Sequence, residues 1–286
     1  MDYFILGEVV REARKRCGLT QEELAFGICS VSTLSKIENG IRIPRNRTFE
    51  ALMERMGETY DHFRFYEEKR ELKRRKLLNK MTQAARGWDM VRLEILLKQY
   101  KAIAGEQSIL EQQEQIMMEA ALCLWKNEAP EYICRALKKA LELTGVDCDG
   151  IRRGQAGYTY KERSLLLMLA CCYRKMGQLA YAEKMLLSIL RYLNRKPDEG
   201  ETFEYILLPL YYELATLYFQ TGRYVRSERF CTRAIRLCLQ KDRYFLSALL
   251  RQKMIVLAEL GDAVKYREAE RNSRLFDEIF IPQERS

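Results

Sequence analysis

Histidine is nearly absent from this sequence. His62 is the only one among 286 residues, which makes a multi-histidine metal site impossible and argues against a Ser-His-Asp triad. Carboxylates are plentiful, but they are spread at helical intervals among lysine and arginine, which is typical of solvated helix faces. We therefore expect no enzymatic activity, no catalytic or metal-binding residues and no cofactor.

Long apolar runs are also missing. The longest candidate, residues 164–173, is far shorter than the roughly 20 residues that span a bilayer. The N-terminus lacks the basic segment followed by an apolar one that marks a secretory signal peptide. We expect a cytoplasmic protein with no membrane partner.

The nine cysteines include no C-x-x-C pair that could bind a metal or exchange electrons. Their number is odd and the chain is long, so the disulfide framework of a small secreted domain is not expected. Cys123, Cys134, Cys231 and Cys238 lie among apolar neighbours, and we expect them to behave as small core side chains.

The formal net charge of +9 would suit a polyanionic partner. Residues 1–66 nevertheless balance to about zero, and the basic excess begins only in residues 69–76. A solvated helix face is the simpler interpretation of that basic run, although it could contact DNA backbone. Net charge alone is therefore a weak argument for DNA binding.

Residues 18–40 predict two short helices joined by a tight turn. Thr20 and Glu23 form a capping box before the first helix. Residues 27–30, Gly-Ile-Cys-Ser, interrupt the helical period, and Ser30 can cap the second helix. The apolar residues of the second helix share one face, which leaves five side chains facing outward: Val31, Ser32, Thr33, Ser35 and Lys36.

This stretch resembles the Cro/C1 (Cro/repressor) type of helix-turn-helix, both in the Thr-Gln-Glu-Glu-Leu start at residues 20–24 and in the Leu-Ser-Lys-Ile-Glu-Asn-Gly end at residues 34–40. Its turn is one residue shorter than the general pattern, and in this it resembles the Rgg/PlcR group of peptide-pheromone regulators. The resemblance implies a quorum-sensing transcription regulator that binds double-stranded DNA and a short signalling peptide.

In a helix-turn-helix, the first helix of the motif crosses the DNA backbone and the second enters the major groove. Gln21, at an exposed helix N-terminus, is the predicted phosphate contact, and Arg42 and Arg47 are candidate backbone clamps. The predicted base contacts are the outward-facing residues Val31, Ser32, Thr33, Ser35 and Lys36. The alternative is a helix pair that only packs.

Beyond residue 83 the sequence has no alternating strand pattern and predicts helices throughout. The pattern Ala170-x-x-Tyr173-x-x-x-Gly177 recurs at residues 215–222 as Ala-x-x-Tyr-x-x-x-Gly, which indicates helical-hairpin repeats. These are similar to tetratricopeptide (TPR) repeats with lengthened helices. The predicted hairpins cover residues 68–104, 107–144, 158–193, 201–240 and 242–280.

The sequence therefore predicts an all-α protein with an N-terminal helix-turn-helix bundle followed by a right-handed helical-hairpin (TPR-like) solenoid. We predict a DNA-binding domain at residues 1–66, a helical connector at 67–82, and a repeat domain for ligand binding and dimerisation at 83–286. A homodimer is expected because one short helix recognises only a half-site.

Stacked hairpins form a concave groove that suits an extended peptide. The resemblance to the pheromone regulators implies a short signalling peptide there, and the alternative is a scaffold that binds a protein partner, with DNA binding not controlled by a ligand. The candidate groove residues are the polar or aromatic positions on the first helices of the hairpins: Asn127, Arg174, Lys175, Tyr212, Thr216, Phe219 and Arg251.

Overall fold

The computed structural model describes residues 3–58, 69–87, 89–103, 107–146, 158–195, 200–241 and 246–280. These residues confirm the predicted all-α fold. The helices are α1 (Tyr3–Arg16), α2 (Gln21–Ala25), α3 (Val31–Glu38), α4 (Asn46–Met56), α5 (Lys69–Arg86), α6 (Met90–Ile103), α7 (Ile109–Trp125), α8 (Pro130–Glu142), α9 (Tyr160–Lys175), α10 (Leu179–Arg195), α11 (Gly200–Gln220), α12 (Tyr224–Lys241), α13 (Leu246–Glu259) and α14 (Ala263–Phe280). Within the described ranges, no helix has the length and apolar character needed to cross a membrane.

The two central helices begin at the caps that the sequence predicts. The Thr20 hydroxyl accepts a hydrogen bond from the Glu23 amide at 3.1 Å, and the Glu23 carboxylate accepts one from the Thr20 amide at 2.8 Å. Ser30 caps α3 by accepting from the Thr33 amide at 3.1 Å. These bonds satisfy backbone donors that have no partner inside the helix, which fixes where α2 and α3 start.

Helices α1 to α4 enclose one apolar core. Each buried leucine or phenylalanine of this kind contributes about 1.5–3 kcal/mol relative to an exposed one. Leu110, from the first turn of α7, belongs to the same cluster, so the core is not built from the N-terminal helices alone. Its buried members are Val10, Ala13, Leu19, Leu24, Ala25, Ile28, Leu34, Ile37, Phe49, Ala51, Leu52, Met53, Met56 and Leu110.

The remaining helices follow one another in five pairs, α5–α6, α7–α8, α9–α10, α11–α12 and α13–α14, and each pair lies where the sequence predicts a hairpin. The turns inside four pairs contain a residue in the left-handed region: Asn127, Gly177, Gly222 and Gly261, with φ between 56° and 77°. Glycine adopts this conformation without a Cβ penalty, which explains its recurrence in the repeats.

The chain divides into two compact units, residues 1–172 and 173–286, which we call the first and second unit. The boundary predicted at residue 66, together with His62, falls in residues 59–68, outside the described ranges. The assignment of residues 1–66, 67–82 and 83–286 to separate domains therefore stays a prediction.

In the first unit, the turn between α2 and α3 packs against the end of α8. Gly27 has a φ of +70°, and a Cβ atom there would lie 2.3 Å from the Thr144 Cα. On the other side, a Cβ atom at Gly145 would lie 2.0 Å from the Phe26 ring. Glycine is favoured at both positions because Gly27 approaches the Thr144 backbone and Gly145 approaches the Phe26 ring too closely to leave room for a Cβ atom.

Gly27 and Gly18 provide a matched test of this packing. Both have a positive φ, but a Cβ at Gly18 meets no atom within 4 Å. Either glycine replaced by alanine should lose about 1–2 kcal/mol of unfolding free energy through the left-handed backbone. Gly27→Ala should lose more, because its methyl group also displaces Thr144. Urea unfolding measures both, and equal losses would contradict the contact.

Candidate functional site

Helix α3 presents the side chains that the motif predicts. Leu34, Ile37 and Glu38 are buried against the bundle. Val31, Ser32 and Lys36 are exposed, with Val31 at 40% of its full accessible surface, and Thr33 and Ser35 are half-buried. The structure thus brings all five predicted base contacts to the outer side of one short helix, where a DNA groove could receive them.

A buried carboxylate holds α3 in place. Glu38 accepts from Arg14 Nε at 2.6 Å and Nη2 at 3.0 Å, and from Gln21 Nε2 at 2.7 Å. Burial raises the pKa of Glu38, but the hydrogen bonds from Arg14 and Gln21 outweigh it and bring the pKa below its ordinary value. Arg14 also donates to the Leu19 carbonyl at 2.8 Å, so one ion pair joins α1, the start of α2 and the end of α3. Sequence analysis missed this network, since Glu38 was noted only as part of the motif.

The three side chains predicted to contact the DNA backbone differ in how accessible they are. Arg42 is exposed in the segment after α3, as a phosphate contact requires. The Gln21 amide is held by Glu38, although its NH2 group carries a second hydrogen that can still donate. For Arg47 the prediction of a phosphate clamp is wrong: its side chain is only 13% exposed and its guanidinium is paired with Glu114 of α7.

Arg55 of α4 carries a fully buried charge in the first unit. Its side chain and that of Glu162, from α9, both have 0% exposure, and the two are 3.1 Å apart. The Arg55 guanidinium also donates to the backbone carbonyls of Leu24 and Phe26 at the end of α2. Such a pair must be kept complete, because either charge left alone in the interior is costly.

Further charged groups surround the Arg55 pair. Glu114 faces both Arg47 and Lys161, the latter at 3.4 Å. Burial raises the pKa of Glu114, and these two cations more than reverse the effect, so its pKa lies below the ordinary value. Glu54 accepts from the Tyr160 amide at 3.1 Å, yet burial dominates and raises its pKa. Helices α4, α7 and α9 are thus joined by charges as well as apolar contacts.

Two expectations about charged side chains are therefore wrong here. The carboxylates Glu111, Glu114 and Glu162 are buried, although their helical spacing indicated solvated faces. Arg74 of α5, within the basic run, is also buried and pairs with Glu111 at 3.2 Å. The spacing of these residues correctly predicted helices. It did not predict their burial, because these helices have neighbours on more than one side.

In the second unit, α11 carries three of the candidate peptide contacts. Tyr212, Thr216 and Phe219 are spaced to share one face of the helix, and all three are half-buried. The Thr216 hydroxyl donates to the Tyr212 carbonyl at 3.0 Å, and the Phe219 ring lies 5.6 Å from that of Tyr224. This face offers an apolar wall rather than a row of hydrogen-bonding groups.

The basic side chains predicted to contact a peptide in the second unit differ in their exposure and pairing. Arg174 is nearly buried and is paired with Glu213 of α11, with Nε to Oε2 at 2.7 Å. It is therefore not available as a ready donor for a peptide carboxylate, which corrects the prediction. Lys175 is exposed, and Arg251 is exposed and donates to the Ser247 hydroxyl at 2.7 Å.

Asn127 has a structural role that sequence analysis did not assign. It lies in the turn between α7 and α8 with a φ of 56°. Asparagine tolerates this left-handed conformation better than most residues, and the position corresponds to the glycines of the other turns. Its assignment to the peptide groove stays a prediction.

Of the cysteines that the structure describes, Cys134, Cys172, Cys231 and Cys238 are buried, whereas Cys17, Cys29, Cys123 and Cys171 are half-buried. Burial raises the pKa of Cys29 to about 11 and that of Cys231 to about 12. A thiol with such a pKa is protonated at neutral pH and reacts slowly. Among the described residues, no three His, Cys, Asp or Glu side chains are grouped so that they could hold a metal ion.

Comparison with known proteins agrees with this geometry. The helix-turn-helix family model matches residues 10–63. The crystal structure of PlcR from Bacillus thuringiensis in complex with the peptide PapR7 and DNA is similar to this chain, with a TM-score of 0.59 at 20% identity over 96% of this chain and 94% of that one. The apo form of the same protein gives 0.56 at 17% identity over 96% and 94%. No curated protein sequence matches the chain. This chain thus contains a helix-turn-helix domain and shares the PlcR fold.

The buried pair can be tested by removing one charge while keeping the shape. Glu162→Gln should lower the unfolding free energy by about 3–5 kcal/mol, because it leaves Arg55 with an uncompensated buried charge. Glu270→Gln is the control, since Glu270 forms an exposed pair with Arg274 and should change stability little. Urea denaturation measures both variants, and similar small effects would show that Arg55 does not depend on Glu162.

Proposed function

We propose that this protein is a sequence-specific DNA-binding transcriptional regulator controlled by a short signalling peptide and acting in the cytoplasm. The observation that carries the proposal is the outer side of α3, where polar and basic side chains are exposed while Leu34 and Ile37 are buried in the bundle. The likeness to a protein solved with a peptide and DNA supports it.

In this proposal α3 enters the major groove. Ser32 and Lys36 lie nearest the centre of its exposed side, and Val31, Thr33 and Ser35 flank them. Gln21 and Arg42 contact the phosphate backbone from either side of the motif, which sets the orientation of the helix without specifying sequence. Arg47 takes no part, because it is paired inside the protein.

We further propose that the regulator is a homodimer that binds two half-sites. The last hairpin is the proposed contact. Leu246, Leu249 and Leu250 are buried within the second unit, so they cannot supply this surface. Among the side chains that the structure describes, large apolar ones exposed on α13, α14 and the turn between them include Ile255, Leu260, Val264 and Leu275.

The proposed peptide site is the α11 face with the exposed cations Lys175 and Arg251. The aromatic side chains would contact apolar parts of the peptide, and the cations would contact its carboxylate. Peptide binding would alter the curvature of the repeats and so the spacing of the two DNA-binding helices. The alternative is a scaffold whose repeats bind a protein partner, with DNA binding independent of any ligand.

The DNA proposal predicts a loss on changing one side chain. Lys36→Ala should weaken binding to a duplex selected by the full-length protein by about 1–3 kcal/mol, because a base contact is lost. Fluorescence anisotropy at fixed salt measures the affinity, and light scattering should count two chains per duplex. Lys139→Ala, which removes an exposed lysine from α8, is the control. Unchanged affinity and sequence preference in Lys36→Ala would remove α3 from the groove.

The peptide proposal predicts that peptides shorter than about ten residues co-purify with the full-length protein and can be identified by mass spectrometry. Arg251→Ala should weaken their rebinding by up to about 1 kcal/mol in calorimetry, since exposed ion pairs are screened by solvent. Arg267→Ala, an exposed arginine on α14, should have no effect.

Two results would count against the peptide site. Unchanged binding in both Lys175→Ala and Arg251→Ala would exclude these residues from it. A captured protein partner in place of a peptide, with about 1,000 Å² or more of buried surface, would favour the scaffold instead.

A further inference from the structure

The first turn of α3 offers little hydrogen-bonding capacity to DNA. The Ser30 hydroxyl accepts from the Thr33 amide at 3.1 Å, and the two hydroxyls of Ser30 and Thr33 are hydrogen-bonded to each other at 2.9 Å. The Ser30 hydroxyl is therefore used to cap the helix, and the Thr33 hydroxyl is held by Ser30. Besides the Ser32 hydroxyl and the remaining hydrogen-bonding capacity of Thr33, the turn presents methyl groups to a base edge.

Val31 supplies the most accessible of these methyl groups. It is the first residue of α3 and is 40% exposed, whereas Leu34 and Ile37 of the same helix are buried. The major-groove edges of the bases carry one apolar group, the C5-methyl of thymine. The exposed isopropyl group of Val31, at the N-terminus of a helix that enters the groove, can make an apolar contact with this methyl group.

Lys36 provides a second and chemically different contact on the same helix. It is exposed and carries only donors, which match the O6 and N7 acceptors of guanine. Five residues separate it from Val31, which is about 7.5 Å along the helix axis at 1.5 Å per residue. If the axis of α3 follows the groove, where base pairs are spaced by about 3.4 Å, this distance corresponds to about two base-pair steps.

We propose that α3 recognises a thymine through the methyl groups of Val31 and a guanine through Lys36, about two base pairs apart in each half-site. This inference rests on the proposed DNA-binding function and specifies the chemistry that it recognises. Val31 acts as a specificity residue by excluding water from the thymine methyl, and Lys36 acts by donating to guanine.

The experiment uses the full-length protein and a random 20-base-pair duplex library, with and without the peptides that co-purify. In the selected duplex, each thymine is then replaced by deoxyuridine, which removes the methyl group alone. One position in each half-site should lose about three- to five-fold in affinity, as expected for one buried methyl group. In Val31→Ala that loss should disappear, whereas Val91→Ala, which changes an exposed valine on α6, should retain it.

A parallel series replaces guanines by 7-deazaguanine, which removes only the N7 acceptor. The sensitive guanine should lie two base pairs from the sensitive thymine, and its effect should vanish in Lys36→Ala. Circular dichroism of Val31→Ala checks that the helix content is unchanged, which is expected because the side chain is exposed.

The outcomes separate the two proposals. If no sequence is enriched with or without peptide, the proposed function fails, and this inference fails with it. If a sequence is enriched but no thymine methyl matters, or the methyl effect persists in Val31→Ala, the assignment of Val31 is overturned while DNA binding stands. A methyl effect that depends on Val31 but lies at another distance from the guanine overturns the spacing.

Discussion

A fully buried arginine is the constraint on which the first unit depends. The guanidinium of Arg55 has no contact with solvent, so its charge and its hydrogen-bond donors have to be satisfied inside the protein. Two backbone carbonyls at the end of α2 and the Glu162 carboxylate of α9 accept hydrogen bonds from its two terminal nitrogens. Because these partners come from helices far apart in sequence, α2, α4 and α9 can hold the guanidinium only when all three are in place.

This constraint reaches α3, the helix proposed to contact DNA. The turn after α2 is held by Arg55 on one side and by the end of α8 on the other, where Gly27 meets Thr144. Helix α3 starts at the end of that turn and is fixed at its other end by Glu38. Its orientation is thus set by the first repeat hairpins as well as by its own bundle, which agrees with the clustering of residues 1–172 into one compact unit. A rearrangement of those hairpins would therefore also change the position of α3.

The helices and their pairing could be predicted from the sequence because they depend on local information. Apolar spacing, the caps at Thr20 and Ser30, and the glycines of the turns all act within a few residues. The buried ion pairs could not be predicted, since Arg55 and Glu162 are 107 residues apart and each has the spacing of a solvated helix position. The outward face of α3 was predicted for the same local reason, whereas Arg47 was misassigned because its partner Glu114 is 67 residues away.

The cost of leaving a buried charge unpaired also limits how a ligand could bind to the second unit. A peptide carboxylate that displaced Glu213 from Arg174 would leave Glu213 nearly buried and without its cation, which costs about as much as the new pair would contribute. Arg174 and Glu213 are therefore better regarded as a structural ion pair within the second unit. Net affinity then has to come from apolar contact with Tyr212 and Phe219, where burial gives about 25 cal/mol for each Å² removed from water. In the proposed site, the exposed cations would orient the peptide. The paired Arg174 would preserve the shape of the surface that the peptide contacts.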